Sequence, residues 1–225
     1  MRHDTLLLRG LAWLCLSLVL ASPASGAQLQ VTDASTGEPL ADAVVEVLHP
    51  GTPSAAGDAG EVMQRDAAFV PRVSVVAVDS RVSFPNRDTT RHHVFSFSPA
   101  KVFDLELYLQ ETPPPVTFDQ AGVVVLGCNI HDHMRAFIVV SNAPRIARTG
   151  ADGRVALPGL PAGRHALRIW HPRLEDTHQQ WWEGQISRGE TRTVALDLEA
   201  SLPVRAEPSA LQERFRQALQ DREGS

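Results

Sequence analysis

Within Gly127-Cys-Asn-Ile-His-Asp-His-Met-Arg135, Cys128, His131 and Met134 form a C-x2-H-x2-M array of side chains with metal-binding atoms. A thiolate at a strand end, followed on the next turn by an imidazole and a thioether, can converge on one ion from a single loop. Upstream, Phe84-Pro-Asn-Arg-Asp-Thr-Thr-Arg-His-His-Val-Phe-Ser96 places His92 and His93 at the start of another expected strand. One of these completes a set of two imidazoles, one thiolate and one weak thioether. Soft sulfur favours Cu(I) and imidazole accepts both oxidation states, so the set suits one copper ion cycling between Cu(I) and Cu(II). Zinc takes Cys and His ligands equally well, and the thioether argues for copper. Taken singly, Cys128 and Met134 would more often be packing residues; their spacing and the histidine pair point to metal.

The elements that must position these residues read as strands. Leu29 to Leu48 is expected as strand, turn and strand, with Ser35-Thr-Gly37 supplying the turn of a hairpin. Residues His49 to Gly60 carry Gly, Pro, Ala and Ser without an apolar period and read as a linker. Strand patterns resume at Val73 to Val78 and at Val82 to Phe84, around an Asp79-Ser80 turn. They recur at Val123 to Leu126 and at Ala136 to Val140. Short strands follow at Arg154 to Leu157, Arg164 to Trp170 and Thr191 to Leu198. Only Ser209 to Asp221 has a helical rhythm, with Leu211, Phe215 and Leu219 four apart. The expected class is all-β with a short C-terminal helix in a polar tail, 201–225.

The 225-residue chain, 43% hydrophobic and 21% charged, has the composition of an ordinary globular protein. A formal charge of −5 gives no basic field for nucleic acid, which is excluded as a partner. Residues 1–27 run from Arg2 and Arg9 through the apolar stretch Leu11 to Leu20 to the small residues Ser25-Gly-Ala27. That order is a cleaved secretory signal peptide. The apolar stretch is about half the ~20 residues that a span needs, so no stable membrane insertion is expected after cleavage. The expected location is the periplasm. Removing the leader leaves Cys128 as the lone thiol in an oxidising space, a liability unless something such as a metal occupies it.

Asn86-Arg-Asp-Thr-Thr-Arg-His-His-Val-Phe, followed by Gly127-Cys-Asn-Ile-His-Asp-His-Met, resembles the cupredoxins of the plastocyanin and amicyanin type. It is also similar to exported plastocyanin-like proteins labelled methylamine utilisation proteins. The likeness runs from about Glu61 to Ser141, with 60–141 the copper domain. It implies a Greek-key β-sandwich binding copper through His92, Cys128, His131 and Met134. Two positions depart from the family pattern. Where the family has Asn after the first ligand, this chain has His93. Spacing from Asn86 and Asp88 selects His92, whereas strand parity groups His93 with Phe95 and Phe97 and keeps it open as the alternative. His133, beside Met134, would either compete with it or face solvent. Asn86, Asp88 and Ser96 are candidates for orienting the ligands by hydrogen bonds, and a turn role serves Asn86 and Asp88 equally well.

Val31-Thr-Asp-Ala-Ser-Thr-Gly-Glu-Pro-Leu-Ala-Asp-Ala-Val-Val45 and Arg148 to Trp170 resemble two halves of a transthyretin-like, carboxypeptidase-regulatory-like sandwich, 28–58 plus 142–200. The copper module would be inserted in it or stand in tandem with it. His49, His165, His171 and His178 read as surface or structural, and Trp170, Trp181 and Trp182 as buried.

The resemblance implies a one-electron carrier that exchanges electrons through an edge of His131 with a redox partner such as a cytochrome or periplasmic oxidoreductase. Copper sequestration or delivery is the alternative, suited by His92, His93, His131 and His133 around one thiolate. An interaction module with a secondary metal site is the third. The motifs assemble no Ser-His-Asp or Cys-His-Asn array, no phosphate-cradling glycine loop and no open metal position, so an enzyme is not expected.

Overall fold

The computed structural model describes residues 26–53 and 60–199, and the regular elements among them are all strands. In chain order these are β1 (Ala27–Asp33), β2 (Val44–Leu48), β3 (Met63–Arg65), β4 (Ala68–Val70), β5 (Val73–Ala77) and β6 (Ser80–Val82). Next come β7 (His92–Ser98), β8 (Lys101–Tyr108), β9 (Val116–Phe118), β10 (Gly122–Gly127) and β11 (Arg135–Ser141). The last are β12 (Arg145–Arg148), β13 (Arg154–Leu157), β14 (Arg164–Trp170), β15 (Trp182–Ser187) and β16 (Thr191–Leu196). The expected signal peptide, apart from Gly26 and Ala27, and the expected C-terminal helix lie outside the described residues.

Alternation along the strands dictates how the sheets stack, because successive side chains leave opposite faces. β2 sends Val45 and Val47 into one core and Val44 into another; β14 does the same with Leu167 and Ile169 against Trp170. The sheet β12-β2-β14-β15 is therefore buried on both faces. One face packs on the sheet β13-β1-β16 through Leu29, Val31, Leu157 and Leu196. The other packs on the sheet β5-β11-β10-β7-β8, where Trp170 meets Phe137 with ring centroids 5.5 Å apart. In turn, β11 directs Phe137 and Val139 toward Trp170 and directs Ala136, Ile138 and Val140 into a third core. The hairpin β3-β4 and the pair β6-β9 close that core with Phe69, Val82 and Phe118.

Early and late strands thus share two sheets, and the strands between them form the rest. β1 and β2 do not pair as the expected hairpin; they lie in different sheets, and a Thr32↔Pro39 bridge closes the turn. The long connection crosses the sandwich and fills it with Leu40 and Ala43. Trp170 is buried as expected, whereas Trp181 and Trp182 are half-buried beneath the guanidinium groups of Arg168 and Arg192. Glu46, buried on β2, is paired with Arg168 on the neighbouring β14.

One buried titratable group makes this packing sensitive to acid. Burial, reinforced by the cations Arg173 and Arg72, pushes His171 down to about 4, against opposing contributions from the Ala41 backbone and Asp33. The ring is neutral in the fold, so below its ordinary value of 6.5 the unfolded chain takes up the proton first. Stability should fall by about 2 kcal/mol between pH 7 and 4.5 on this account. Urea unfolding of the wild type and of His171→Gln checks it. The variant should lose that much less over the same range, and parallel pH profiles would contradict the assignment.

Candidate metal centre

β7 begins at His92, and its alternation carries the His92 ring inward with Val94, which belongs to the third core. The ring is fully buried. β10 ends at Gly127, so Cys128 is the first residue to leave the sheet, and the loop to β11 carries His131 and Met134. Hydrogen bonding of the Met134 N–H to the His131 carbonyl, 2.9 Å, tightens that loop into a turn. One ligand atom each from His92, Cys128 and His131 lies within 4.8 Å of the other two. The His92 and His131 rings have centroids 5.2 Å apart.

Hydrogen bonding fixes which nitrogen of His92 faces the group. Its Nε2 is 2.7 Å from Asp88 Oδ2, and Asp88 also accepts the N–H groups of Asp66 and Ala67 at 2.7 and 3.0 Å. Those two residues are the left-handed turn of the β3-β4 hairpin, with φ of 54° and 53°. Burial works to raise the Asp88 carboxyl, but the Ala67 N–H, the His92 ring and the Asp66 N–H outweigh it and hold it below its usual value. An ionised Asp88 accepts the Nε2 proton and leaves Nδ1 of His92 as a lone pair. That Nδ1 and the Nδ1 of His131 are buried without a hydrogen-bond partner.

Two orphaned imidazole nitrogens beside a buried thiol are what a metal site presents when its ligands are pre-set. Unpartnered buried polar atoms are otherwise costly, and native structures hold few of them. The donor set of two nitrogens and one sulfur fits a borderline or soft cation.

The remaining expected residues fall as follows. Met134 is 2% exposed and shares the third core with Cys128. His93 does not join the group: its Nε2 is 2.6 Å from Asp104 Oδ1 and its Nδ1 is 2.7 Å from Asn129 Nδ2. Parity does group His93 with Phe95 and Phe97, but on the outer face of β7, where Phe97 is 74% exposed. His133 is exposed, with its ring 5.7 Å from that of His131. Asn86 holds its own turn, donating to the Thr90 carbonyl and accepting the Asp88 N–H, and ties that turn to β8 by donating to the Tyr108 carbonyl. Ser96 accepts the Ser98 N–H. Away from the centre, the rings of His49 and His165 stack edge to face, and His178 contacts Ser98. Asp104 and Asn129 carried no signal in the sequence beyond Asn129 being next to Cys128.

No protein-family model matches the chain, and no curated protein matches its sequence. Among solved structures, the chain is similar to a reduced Cu(I) form, at pH 4, of a mutant of amicyanin. Identity is 21%, the alignment covers 43% of this chain and 98% of that one, and the TM-score is 0.34. It is also similar to a Cu-containing nitrite reductase from Thermus scotoductus SA-01. There the values are 24% identity, 42% of this chain, 28% of that one and a TM-score of 0.35. These likenesses are partial, and the site stands on its own atoms.

Asp88→Asn keeps the volume but turns an N–H2 group toward donors that now meet an oxygen. If Asp88 orients His92, metal affinity should fall by about 10–100-fold, as measured by competition with a chromophoric chelator. Unchanged affinity would show that the contact serves the hairpin alone.

Proposed function

We propose that this chain is a periplasmic type 1 copper protein that carries single electrons between redox partners. The observation that carries the proposal is the buried group of His92, Cys128 and His131, with both imidazole Nδ1 atoms lacking any protein partner. Met134, buried in the same core as Cys128, is the proposed weak fourth ligand. Bound copper supplies a one-electron Cu(II)/Cu(I) couple that a mixed nitrogen and sulfur set tolerates in both states. The chain's own residues supply the rest. Asp88 holds the His92 ring through Nε2, so little rearrangement of that ligand accompanies a change of oxidation state. Burial of Cys128 keeps water and oxidants from the thiol.

His131 is only half-buried and follows Ile130, which is 47% exposed, so the loop offers an imidazole edge beside an apolar contact. A transient partner such as a cytochrome or periplasmic oxidoreductase would dock there through a small interface. The formal charge of −5 favours a basic partner by steering. The expected signal peptide supports the location. One observation favours the second function, copper sequestration or delivery: exposed His133 stands beside His131 and offers an imidazole through which metal would be passed.

Titration with Cu(II), followed by visible and electron-spin-resonance spectra, separates these functions. An electron carrier should develop an intense thiolate-to-copper band at one equivalent. The band should be lost in Cys128→Ser and His92→Ala and retained in His93→Ala. Copper binding without that band, or ready loss of copper to a chelator through His133, would contradict the carrier function and favour metal handling.

A further inference from the structure

His93 is next in the chain to His92, yet its ring lies on the opposite face of β7 and both of its nitrogens are engaged. Asn129 is the residue after Cys128, and its amide nitrogen only donates hydrogen bonds. The Nδ1 of His93, 2.7 Å from Asn129 Nδ2, is therefore an acceptor. The ring proton is then on Nε2 and is donated to Asp104 Oδ1, 2.6 Å away. Asp104 belongs to β8 and also accepts the Glu106 N–H at 2.7 Å. Glu106 has a φ of 55° at the irregularity where β8 slips its register against His93 and Phe95. The bulge in β8 is thus what turns the Asp104 carboxylate toward His93.

This chain of bonds reaches the segment that the sheet itself no longer holds. Ladder pairing of β10 with β7 and with β11 stops at Gly127, one residue before the thiol. At that point the Phe95 ring covers Gly127 so closely that a Cβ there would fall 2.7 Å from the ring. Asn129 follows at once and is tied to His93, which stacks on Phe95 with centroids 5.0 Å apart. Cys128 is bracketed on both sides by residues of β7, and His92 begins the same strand.

On the footing of the copper function proposed above, we infer that Asp104, His93 and Asn129 form a clamp that fixes Cys128 against His92, with His93 as its positioning residue. It acts through the Asn129 amide on the Cys128 backbone and does not touch the metal. A ring that only filled space on the outer face of β7 would be replaced by Phe without effect. A clamp would fail with Phe and survive with Asn, whose Oδ1 takes the place of Nδ1 and still accepts from Asn129.

The test uses the metal-free protein, so that it stands apart from the copper function. Alkylation of Cys128 by iodoacetamide is timed for wild type, His93→Phe and His93→Asn, beside their thermal midpoints. The clamp predicts about tenfold faster alkylation in His93→Phe and a rate near wild type in His93→Asn. Nitrogen NMR of the wild type should report the His93 proton on Nε2. If His93→Phe does not fold, Asn129→Ala takes its place with the same expected acceleration. Equal rates in all folded variants, equal acceleration by Phe and Asn, or a proton on Nδ1 would overturn the clamp. If the thiol is clamped but the wild type gives no thiolate-to-copper band, the clamp stands and the copper function falls.

Discussion

Everything at the centre depends on the hydrogen bond from His92 Nε2 to Asp88. Leaving a polar atom buried and unpartnered costs about 1–3 kcal/mol, and the fold does this at Nδ1 of both His92 and His131. Without Asp88, the His92 ring would be free to turn and find some other partner for that nitrogen. With it, Nε2 is engaged and Nδ1 is left as the free nitrogen of a ring that belongs to the His92, Cys128 and His131 group. The same carboxylate accepts two N–H groups of the β3-β4 turn. The orientation of one ligand is thus tied to the turn of the β3-β4 hairpin.

The layers explain how such an arrangement is kept rigid. β7, β10 and β11 belong to one sheet whose inner face builds the core around Cys128 and Met134 and whose outer face is partly covered by a second sandwich. Phe137 and Trp170 anchor that cover, and Arg148 reinforces it by reaching from β12 to the Val73 carbonyl at 2.6 Å. The cover leaves part of β7 and β8 open, where Phe97 and Val102 are exposed on facing positions of the sheet. On this uncovered part the Asp104, His93 and Asn129 bonds take over the work that packing does elsewhere.

Much of this was legible in the sequence, and the failures have physical causes. Cys128 and His131 share one turn, so their spacing alone brings them together. His92 and His93 could not be separated by parity, because adjacent strand residues face opposite ways and only the packing of β8 and β10 decides which way is inward. Asp88 stood out as a hydrogen-bonding residue near the histidines, but its second role, holding the Asp66-Ala67 turn, is a contact with a hairpin distant in the sequence. Asp104 was invisible because its aim depends on the bulge at Glu106. β8 itself was missed: it is an edge strand with acids among its apolar residues, which blunts its period-two signal. The β1-β2 hairpin failed because the turn chemistry at Ser35-Thr-Gly37 is compatible with a crossing between sheets as well as with pairing.

The most direct test of the central claim is the location of the ion itself. Crystals of the copper-loaded protein, with anomalous diffraction recorded on either side of the copper edge, would fix it independently of spectra. The account predicts one strong anomalous peak contacting Nδ1 of His92, Nδ1 of His131 and Sγ of Cys128, with His93 still bonded to Asp104 and Asn129. A peak held by His93 or by His133 in place of these atoms, or no peak near Cys128, would contradict it.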